Sequence, residues 1–310
     1  MSNLESSNQK KIFVLNDYLL DLIKLYKSKI LPSKILLSGE KGIGKSTLAY
    51  HFINYVLSED SEHSYDLENF EIDVKSQTFK TIQNKSNPNL ITIDIISEKK
   101  TIEINQIRDL IINLNKSSFN NKPRFVLIDN IELLNISSVN ALLKILEEPN
   151  KNVHFILINS NKKIAKTLLS RCINFKINIT NKDCLEVSNK LLNGNLDEYI
   201  NKDLINYYFS PGFIYNLVKF ANHYKYDLKE FDLQSFLKLL INEKLYKKDL
   251  FMKNMIFYFL ESYFQKINLT FKTKINVKYS YFLKRIRDTR NFNLDEETLF
   301  MEFEEEVLNG

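Results

Sequence analysis

Hydrophobic and polar positions follow two different patterns along this chain. From Lys34 to about Ile177, short apolar runs alternate with stretches of helical spacing, as expected for parallel strands joined by crossover helices. Four of the runs are apolar enough to be buried on both faces of a sheet. We predict five strands, at residues 35–37, 90–95, 125–128, 153–158 and 173–177, with amphipathic helices around 48–56, 107–114 and 139–146. This alternation indicates an α/β layer sandwich.

After Ile179 the strand pattern disappears and helical periodicity dominates. We predict helices near residues 181–193, 197–208, 212–224, 233–246, 249–267, 274–290 and 295–308. A shorter helix over 162–170 precedes the last strand, and the polar stretch 58–89 is expected to run over the surface. These changes of pattern predict three domains, over residues 1–179, 180–232 and 233–310.

The stretch GEKGIGKST directly follows the first predicted strand and fits G-x-x-x-x-G-K-[ST]. Glycines let such a loop curl around phosphates with its backbone N–H groups pointing inward, and the next helix directs its positive end at the same anion. Lys45 would reach the β and γ phosphates, and Ser46 would ligate Mg²⁺. The predicted nucleotide-binding residues are Gly39, Glu40, Lys41, Gly42, Ile43, Gly44, Lys45, Ser46 and Thr47.

Asp129 ends the apolar strand FVLI and is the candidate for a second contact with the metal. A strand-ending aspartate is by itself more often a turn residue, but a phosphate loop upstream favours the functional interpretation. Asn130 follows, and an amide cannot take a proton at neutral pH, so it cannot act as the base for hydrolysis. Glu132 is the alternative base, because its side chain would point to the same face of the sheet as that of Asn130 if the strand continues.

Composition limits the classes of protein. The chain has 310 residues, 44% hydrophobic, with only 6 Gly and 5 Pro, as in a folded chain with a large core. A net charge of +5 permits contact with nucleic acid without requiring it. Cys172 and Cys184 form neither a CxxC pair nor a four-ligand cluster, so reduced thiols and no zinc are expected. Histidines 51, 63, 154 and 223 lack ligand spacing.

Neither a signal peptide nor a membrane span is evident in the sequence. The start, MSNLESSNQKK, lacks an apolar core, and no stretch reaches the roughly 18 uninterrupted apolar residues of a membrane span. We therefore expect a cytoplasmic protein.

Several segments resemble the delta-prime subunits of bacterial DNA polymerase III clamp loaders, a family of the AAA+ group. These segments are LPSKILLSGEKGIGKSTLAY, NPNLITID, IEINQIRDL, FVLIDNIELLNISSVNALLKILEEP and LLSRC. They occur in the family's order and cover most of residues 31–177. The runs NALLKILEEP and SRC are more specific than the phosphate loop, which many unrelated proteins share. The ending NFNLDEETLFMEFEEEVL is similar in character to the family's last helix.

The resemblance implies both a fold and a set of partners. The fold is an AAA+ P-loop domain followed by an all-α lid and an all-α C-terminal collar domain. Clamp loaders are rings of five subunits that load a sliding clamp on primed DNA, with ATP bound at subunit junctions. The implied partners are motor ATPase and delta subunits, with clamp and DNA reached through the complex and no membrane. ATP and Mg²⁺ are the implied cofactors; zinc is not expected, since the stretch 58–89 has no cysteine where many relatives insert a four-cysteine module.

Ser170, Arg171 and Cys172 form the SRC triplet, whose arginine in this family reaches the nucleotide held by a neighbouring motor subunit. Such an arginine finger adds positive charge where the transferring phosphoryl group becomes negative, and fingers change turnover by roughly 10³ to 10⁵. Without the resemblance, a solvated or capping arginine would be the simpler interpretation. We predict that Arg171 acts in trans and that Cys172 is a small buried residue at the start of a strand.

Two further positions bear on hydrolysis. Phe213 stands at about the place where hydrolysing relatives carry a nucleotide-sensing arginine, and Asn159 or Ser160 falls near their γ-phosphate sensor. The expected protein is a largely static, non-polymerising subunit of the polymerase holoenzyme with weak or no ATPase activity. The alternatives are a motor ATPase of the same ring and a stand-alone P-loop ATPase or kinase.

The C-terminal helices offer candidates for contact with partners. FMKNMIFYFLESYF is more apolar than one exposed helix should be, and core packing within the domain explains most of it. The acidic group 302, 304, 305 and 306 is most simply a solvated face, balanced by the basic group 284, 285, 287 and 290.

Overall fold

The computed structural model describes residues 5–95, 99, 101–116, 120–148, 152–205, 209–270, 275–292 and 294–309, without the side chains of 268–270, 275–277, 290 and 291. The chain divides into two compact units, Met1–Val187 and Ser188–Gly310. The first unit holds the sheet, and the second is helical. The α/β class followed by a helical part is therefore confirmed. The three predicted domains, with limits at 179 and 232, remain a prediction.

The first unit is built on a five-stranded parallel sheet in the order β2-β3-β4-β1-β5. All five predicted strands are present, with bounds within two residues of those predicted. The strands are β1 (Lys34–Ser38), β2 (Leu90–Ile93), β3 (Arg124–Ile128), β4 (Val153–Asn159) and β5 (Ile173–Lys176). The parallel direction brings all carboxyl ends to one edge of the sheet, where ligands bind in folds of this kind.

Burial of the strands follows their place in the sheet. The three inner strands β1, β3 and β4 are almost fully buried, but the edge strands β2 and β5 are not. Thr92 of β2 is exposed, and Ile173 of β5 is 56% exposed. The prediction of four strands buried on both faces is therefore wrong, since among the described strands only β1, β3 and β4 are buried along nearly their whole length.

Helices cover both faces of the sheet. One core contains Leu37 and Phe125 with Phe52, and the other contains Leu36 and Val126, as expected from the alternation of side chains along each strand. The helices of this part are α1 (Asn16–Lys27), α2 (Lys45–Ser58), α3 (Gln77–Gln83), α4 (Ile104–Leu114), α5 (Ile136–Glu147), α6 (Lys166–Leu169) and α7 (Asn181–Leu192). Helix α7 spans the division between the two units.

Two predictions in this part need correction. The polar stretch 58–89 is not only a surface excursion, since it forms α3 and buries Tyr65, Ile72, Phe79 and Ile82 in the core beside α2. Apolar residues were too widely spaced there to give a periodic signal. The helix expected over 162–170 is only the short α6, because Lys162 is held in a loop by the side chain of Asn159.

The second unit contains six helices among its described residues. They are α8 (Pro211–Tyr224), α9 (Leu233–Asn242), α10 (Leu245–Lys248), α11 (Leu250–Thr270), α12 (Ile275–Phe292) and α13 (Glu296–Phe303), and a π-helical turn (Glu304–Leu308) follows. The predicted helix 197–208 is two 3₁₀ turns, Leu196–Glu198 and Lys202–Leu204, while 206–208 lie outside the described residues. The predicted helix 233–246 breaks at Lys244, whose φ is +51°.

Helix α11 carries the apolar segment FMKNMIFYFLESYF. Its large side chains are mostly buried within the unit, among them Met252, Ile256, Phe259, Leu260 and Phe264. The interpretation of this segment mainly as intradomain core is therefore confirmed.

The basic and acidic groups of the last helices are in contact. Nη2 of Arg285 lies 3.1 Å from Oε2 of Glu302, so part of the basic group does balance the acidic one. The side chain of Arg290 lies outside the described part.

Candidate functional site

The loop between β1 and α2 has the backbone of a phosphate cradle. Gly44 immediately precedes α2 with φ +97°, a left-handed conformation that side chains disfavour. At Gly39 a Cβ atom would lie 2.4 Å from the carbonyl oxygen of Ile177 and 2.9 Å from Cδ1 of Ile43. Both glycines are thus required by geometry, Gly44 for its torsion and Gly39 for close approach.

Lys45 is the buried cation of this loop. It is only 4% exposed, and its Nζ donates to the carbonyl oxygens of Gly39 at 2.9 Å and Glu40 at 2.5 Å. Burial lowers the pKa of Lys45 to about 8, although the carboxylates of Asp129 and Glu132 oppose that shift. An ammonium group that is desolvated and held only by carbonyl oxygens is suited to receive a phosphate anion.

Ser46 and Asp129 meet on the same side of the loop, as predicted for a metal site. The Ser46 hydroxyl donates a hydrogen bond to Oδ2 of Asp129, which directly follows β3. Burial raises the pKa of the Asp129 carboxyl, while hydrogen bonds from Ser46 and the Asn130 N–H oppose the rise. Hydroxyl and carboxylate oxygens are ligands that Mg²⁺ prefers, so these residues fit a magnesium–nucleotide complex.

Asn130 does not continue the strand. Its φ is +53°, and a 3₁₀ turn (Ile131–Leu133) follows directly. The strand argument that placed Glu132 on the side of Asn130 is therefore wrong. Glu132 nevertheless reaches the site from the turn, because its Oε2 accepts a bond of 3.4 Å from the Ser160 N–H and its charge acts on Lys45.

Asp94 is a carboxylate of the site that sequence reasoning missed. It follows β2, and the parallel pairing of Ile93 with Ile128 brings it beside the end of β3. Its Oδ1 accepts a 2.9 Å hydrogen bond from Nδ2 of Asn130, and its charge contributes to the raised pKa of Asp129. The signal was present in NPNLITID, an apolar run ending in an acid, but its meaning depends on the strand order.

Asn159, one of two candidates for sensing γ-phosphate, is engaged in its own loop. It is buried, its Nδ2 donates to the carbonyl oxygen of Lys162 at 2.9 Å, and its Oδ1 accepts from the Lys162 N–H at 3.0 Å. Both functional groups of the amide are thus committed. Ser160 follows at the carboxyl end of β4, and the role of either residue stays a prediction.

Arg171 lies away from the phosphate loop. It precedes β5 by two residues, whereas the loop follows the carboxyl end of the parallel neighbour β1. The two positions are at opposite edges of the sheet, separated by roughly 13 Å of strand. Arg171 donates through Nη2 to Oε1 of Glu147 at 2.6 Å and through Nη1 to the carbonyl oxygen of Thr167 at 3.0 Å.

The remaining residues considered in the sequence, Phe213, the two cysteines and His51, have surroundings that packing within the protein explains. Phe213 of α8 is buried among aromatic rings of the second unit. Burial raises the pKa of the Cys172 thiol to about 11, and Cys172 and Cys184 are not joined in a disulfide. His51 is fully buried, with Nδ1 2.7 Å from the Tyr65 hydroxyl, and burial lowers its pKa to about 4.

We expect replacement of Lys45 by methionine to stabilise the protein near neutral pH. The ordinary pKa of lysine is about 10.4, and in the folded protein it is about 8, so the unfolded chain binds more protons between these values. Wild-type stability therefore gains a contribution as pH rises from 8 to 10.4. The advantage of Lys45→Met should shrink by roughly 2 kcal/mol over that window, as measured by urea unfolding at several pH values.

The matched control is Lys41→Met, since Lys41 is an exposed lysine of the same loop. Its effect on the free energy of unfolding should be small and nearly independent of pH. Titration of tyrosines and cysteines is common to all three proteins and cancels in the differences. An advantage of Lys45→Met that stays constant from pH 7 to 10.5 would show that burial does not perturb Lys45.

The five-stranded parallel sheet, the phosphate loop after β1 and the aspartate after β3 define a P-loop protein of the AAA+ class. The family model described as DNA polymerase III, delta subunit, matches residues 15–181, more than half of the chain. The chain belongs to this family, and it is thus a relative of clamp-loader subunits.

Curated relatives carry related descriptions. The chain is 34% identical over 149 residues to DNA polymerase III subunit gamma of Buchnera aphidicola subsp. Schizaphis graminum, covering 48% of this chain and 39% of that protein. It is 32% identical over 146 residues to DNA polymerase III subunit delta' of Buchnera aphidicola subsp. Baizongia pistaciae, covering 45% and 42%. The matches thus span about two fifths of the length of these relatives.

Among solved structures, the chain is similar to a gamma subunit-related protein of DNA polymerase III from Thermotoga maritima. It is 17% identical, with a TM-score of 0.49, over 91% of this chain and 96% of that one.

Within the described part of the chain, no helix is both long and apolar enough to cross a membrane. Across the same residues, no three His, Cys, Asp or Glu side chains cluster as metal ligands.

Proposed function

We propose that this chain is the delta-prime subunit of a DNA polymerase III clamp loader and that Arg171 completes the ATP site of a neighbouring motor subunit. Its partners are then motor ATPase and delta subunits, with the sliding clamp and primed DNA engaged through the assembled ring. The family match and the SRC triplet support this role. The observation that carries it is the position of Arg171 at the sheet edge opposite the chain's own phosphate loop.

That position matters because an arginine finger must reach the γ-phosphate. Lys45, Ser46 and Asp129 lie at the carboxyl edge of the sheet, whereas Arg171 lies at the amino edge. A side chain of arginine cannot cross the length of a strand to its own nucleotide. It can serve only a nucleotide presented by another chain, which is the arrangement that ATP sites at subunit junctions require.

The surface beside Arg171 also favours a protein neighbour. Leu169 and Ile173 flank it at 41% and 56% exposure, and β5 is an edge strand of the described sheet. Apolar side chains and an open strand edge are features that subunit contacts bury. An interface here would remove them from water and would also exclude water from the guanidinium of Arg171.

The chain's own site supports binding of Mg–ATP with little turnover. Lys45 and the Ser46–Asp129 pair would hold the phosphates and the metal. Asn130 provides no base, and its Nδ2 already donates a hydrogen bond to Asp94. Mg²⁺ bound there supplies positive charge next to the phosphates. Asp129 serves as an outer contact in that site, and Lys45 is buried beside it although Lys41 of the same loop is exposed.

A second candidate is a motor ATPase, and two carboxylates favour it. Asp94 is beside Asn130, and Glu132 is close enough to act on Lys45, so either could orient the attacking water in place of the missing glutamate. The two proposals differ in the turnover of the isolated chain. A motor or a stand-alone ATPase would release phosphate without other subunits.

The test measures phosphate release by the clamp loader assembled with and without this chain, in the presence of primed DNA. Adding the chain should raise turnover by at least about tenfold, whereas the isolated chain should contribute only a small fraction of that rate. A chain that fails to join the motor and delta subunits would overturn the proposal. High turnover by the chain alone would favour the motor ATPase.

A further inference from the structure

The carboxylate of Glu147 is bound to the candidate arginine finger. Oε1 of Glu147 lies 2.6 Å from Nη2 of Arg171, and the second contact of the guanidinium is the carbonyl oxygen of Thr167, 3.0 Å from Nη1. Glu147 is the last residue of α5, and Thr167 lies in α6. Two separate helices thus determine the direction of one side chain.

The arrangement leaves the guanidinium able to bind a further anion. Arginine has five N–H donors, and these two contacts use one on each terminal nitrogen. The Arg171 side chain remains 32% exposed and Glu147 is 55% exposed, so the pair sits at the surface and is not enclosed. Glu147 therefore does not occupy all the donors that a phosphate would need.

We propose that Glu147 is a positioning residue for Arg171: it holds the guanidinium in the direction needed to meet a phosphoryl group of the neighbouring subunit. This inference rests on the proposed function of Arg171. An unsupported arginine samples many rotamers, and each must be given up when it binds a transition state. A guanidinium already fixed by Glu147 and Thr167 loses less freedom at that step.

The position of Glu147 in the fold suits this role. It ends α5 shortly before β4, so it reaches the amino edge of the sheet where Arg171 precedes β5. The adjacent Glu148 has the same charge and is also exposed, but in the described part of the chain no hydrogen bond or ion pair of its carboxylate is present. The two neighbouring glutamates thus differ in their contact with Arg171, which makes Glu148 a matched control.

The experiment compares Glu147→Ala, Glu147→Gln and Glu148→Ala in the assembled clamp loader with primed DNA. Glu147→Ala should lower the maximal rate of phosphate release about three- to tenfold with little change in the ATP concentration at half-maximal rate, because Arg171 acts in the transition state. Glu147→Gln keeps one acceptor oxygen and should lose less. Glu148→Ala should behave as the wild type.

A double-variant cycle separates positioning from a general structural effect. In the Arg171→Ala background, Glu147→Ala should cause no further loss, since its only effect is through Arg171. A further loss there, an unchanged rate in Glu147→Ala alone, or a higher rate indicating competition with phosphate would each overturn the inference. If Arg171→Ala itself leaves turnover unchanged in an intact assembly, the proposed function fails instead.

Discussion

Arg171→Ala should lower DNA-stimulated ATP turnover of the assembled clamp loader by at least about tenfold, and by as much as 10³ if no other cation compensates. The guanidinium would lie where negative charge develops on the transferring phosphoryl group, in a subunit junction with less water than the bulk. The same variant should have little effect on nucleotide binding by its own chain, because Arg171 and Lys45 lie at opposite edges of the sheet.

Two further variants make this result specific. Arg171→Lys keeps a positive charge but lacks the planar fork that binds Glu147 and a phosphate together, so it should recover only part of the rate. Arg108→Ala removes an arginine from the exposed surface of α4 and should leave the rate unchanged. Assembly is checked by gel filtration before each rate is compared. Full turnover in an intact Arg171→Ala complex would show that Arg171 is structural.

The sheet could be predicted because each strand is a local signal. FVLI is a continuous apolar run, FILI is another, and the observed strands β3 and β4 contain them. The order of the strands is not a local property, and neither is the exposure of the edges. Ile173 looks like a core residue in the sequence, yet it is 56% exposed in β5, which is an edge strand of the described sheet.

Elements that depend on particular backbone torsions were harder to predict. The helix expected over 233–246 ends at Asn242, because Lys244 adopts a left-handed conformation. Lysine is not a residue type that favours this conformation, so the sequence did not indicate the break. In 58–89, Phe79 and Ile82 are separated by polar residues, but the fold turns both towards the core beside α2. Single apolar residues become informative only when the surface that covers them is known.

The residues of the candidate site also fall into two groups, those that the sequence indicates locally and those that only the fold brings together. The phosphate loop is one contiguous motif, so its residues could be named from the sequence, and Asp129 followed from the end of β3. Asp94 and Glu147 could not, because they are 36 and 24 residues away from the partners they contact. Their roles arise from the parallel pairing of β2 with β3 and from the approach of α5 to α6.

Phe213→Arg should destabilise the second unit strongly instead of creating a nucleotide sensor. Phe213 is 8% exposed, and its ring lies 4.0 Å from that of Phe209 and within 5.8 Å of the rings of Phe251 and Phe259, centroid to centroid. Loss of a buried phenylalanine costs about 3 to 5 kcal/mol, and an unpaired buried charge adds to that. The free energy of unfolding should fall by at least about 4 kcal/mol.

Asn216→Arg is the matched control, because Asn216 lies on the exposed face of the same helix, three residues further on. Thermal unfolding followed by circular dichroism should show a small change for Asn216→Arg and a loss of most helical cooperativity for Phe213→Arg. A folded Phe213→Arg protein with tighter nucleotide binding would contradict this prediction. The expected collapse would instead mean that Phe213 belongs to an aromatic core, so that α8 contributes to packing within its own unit.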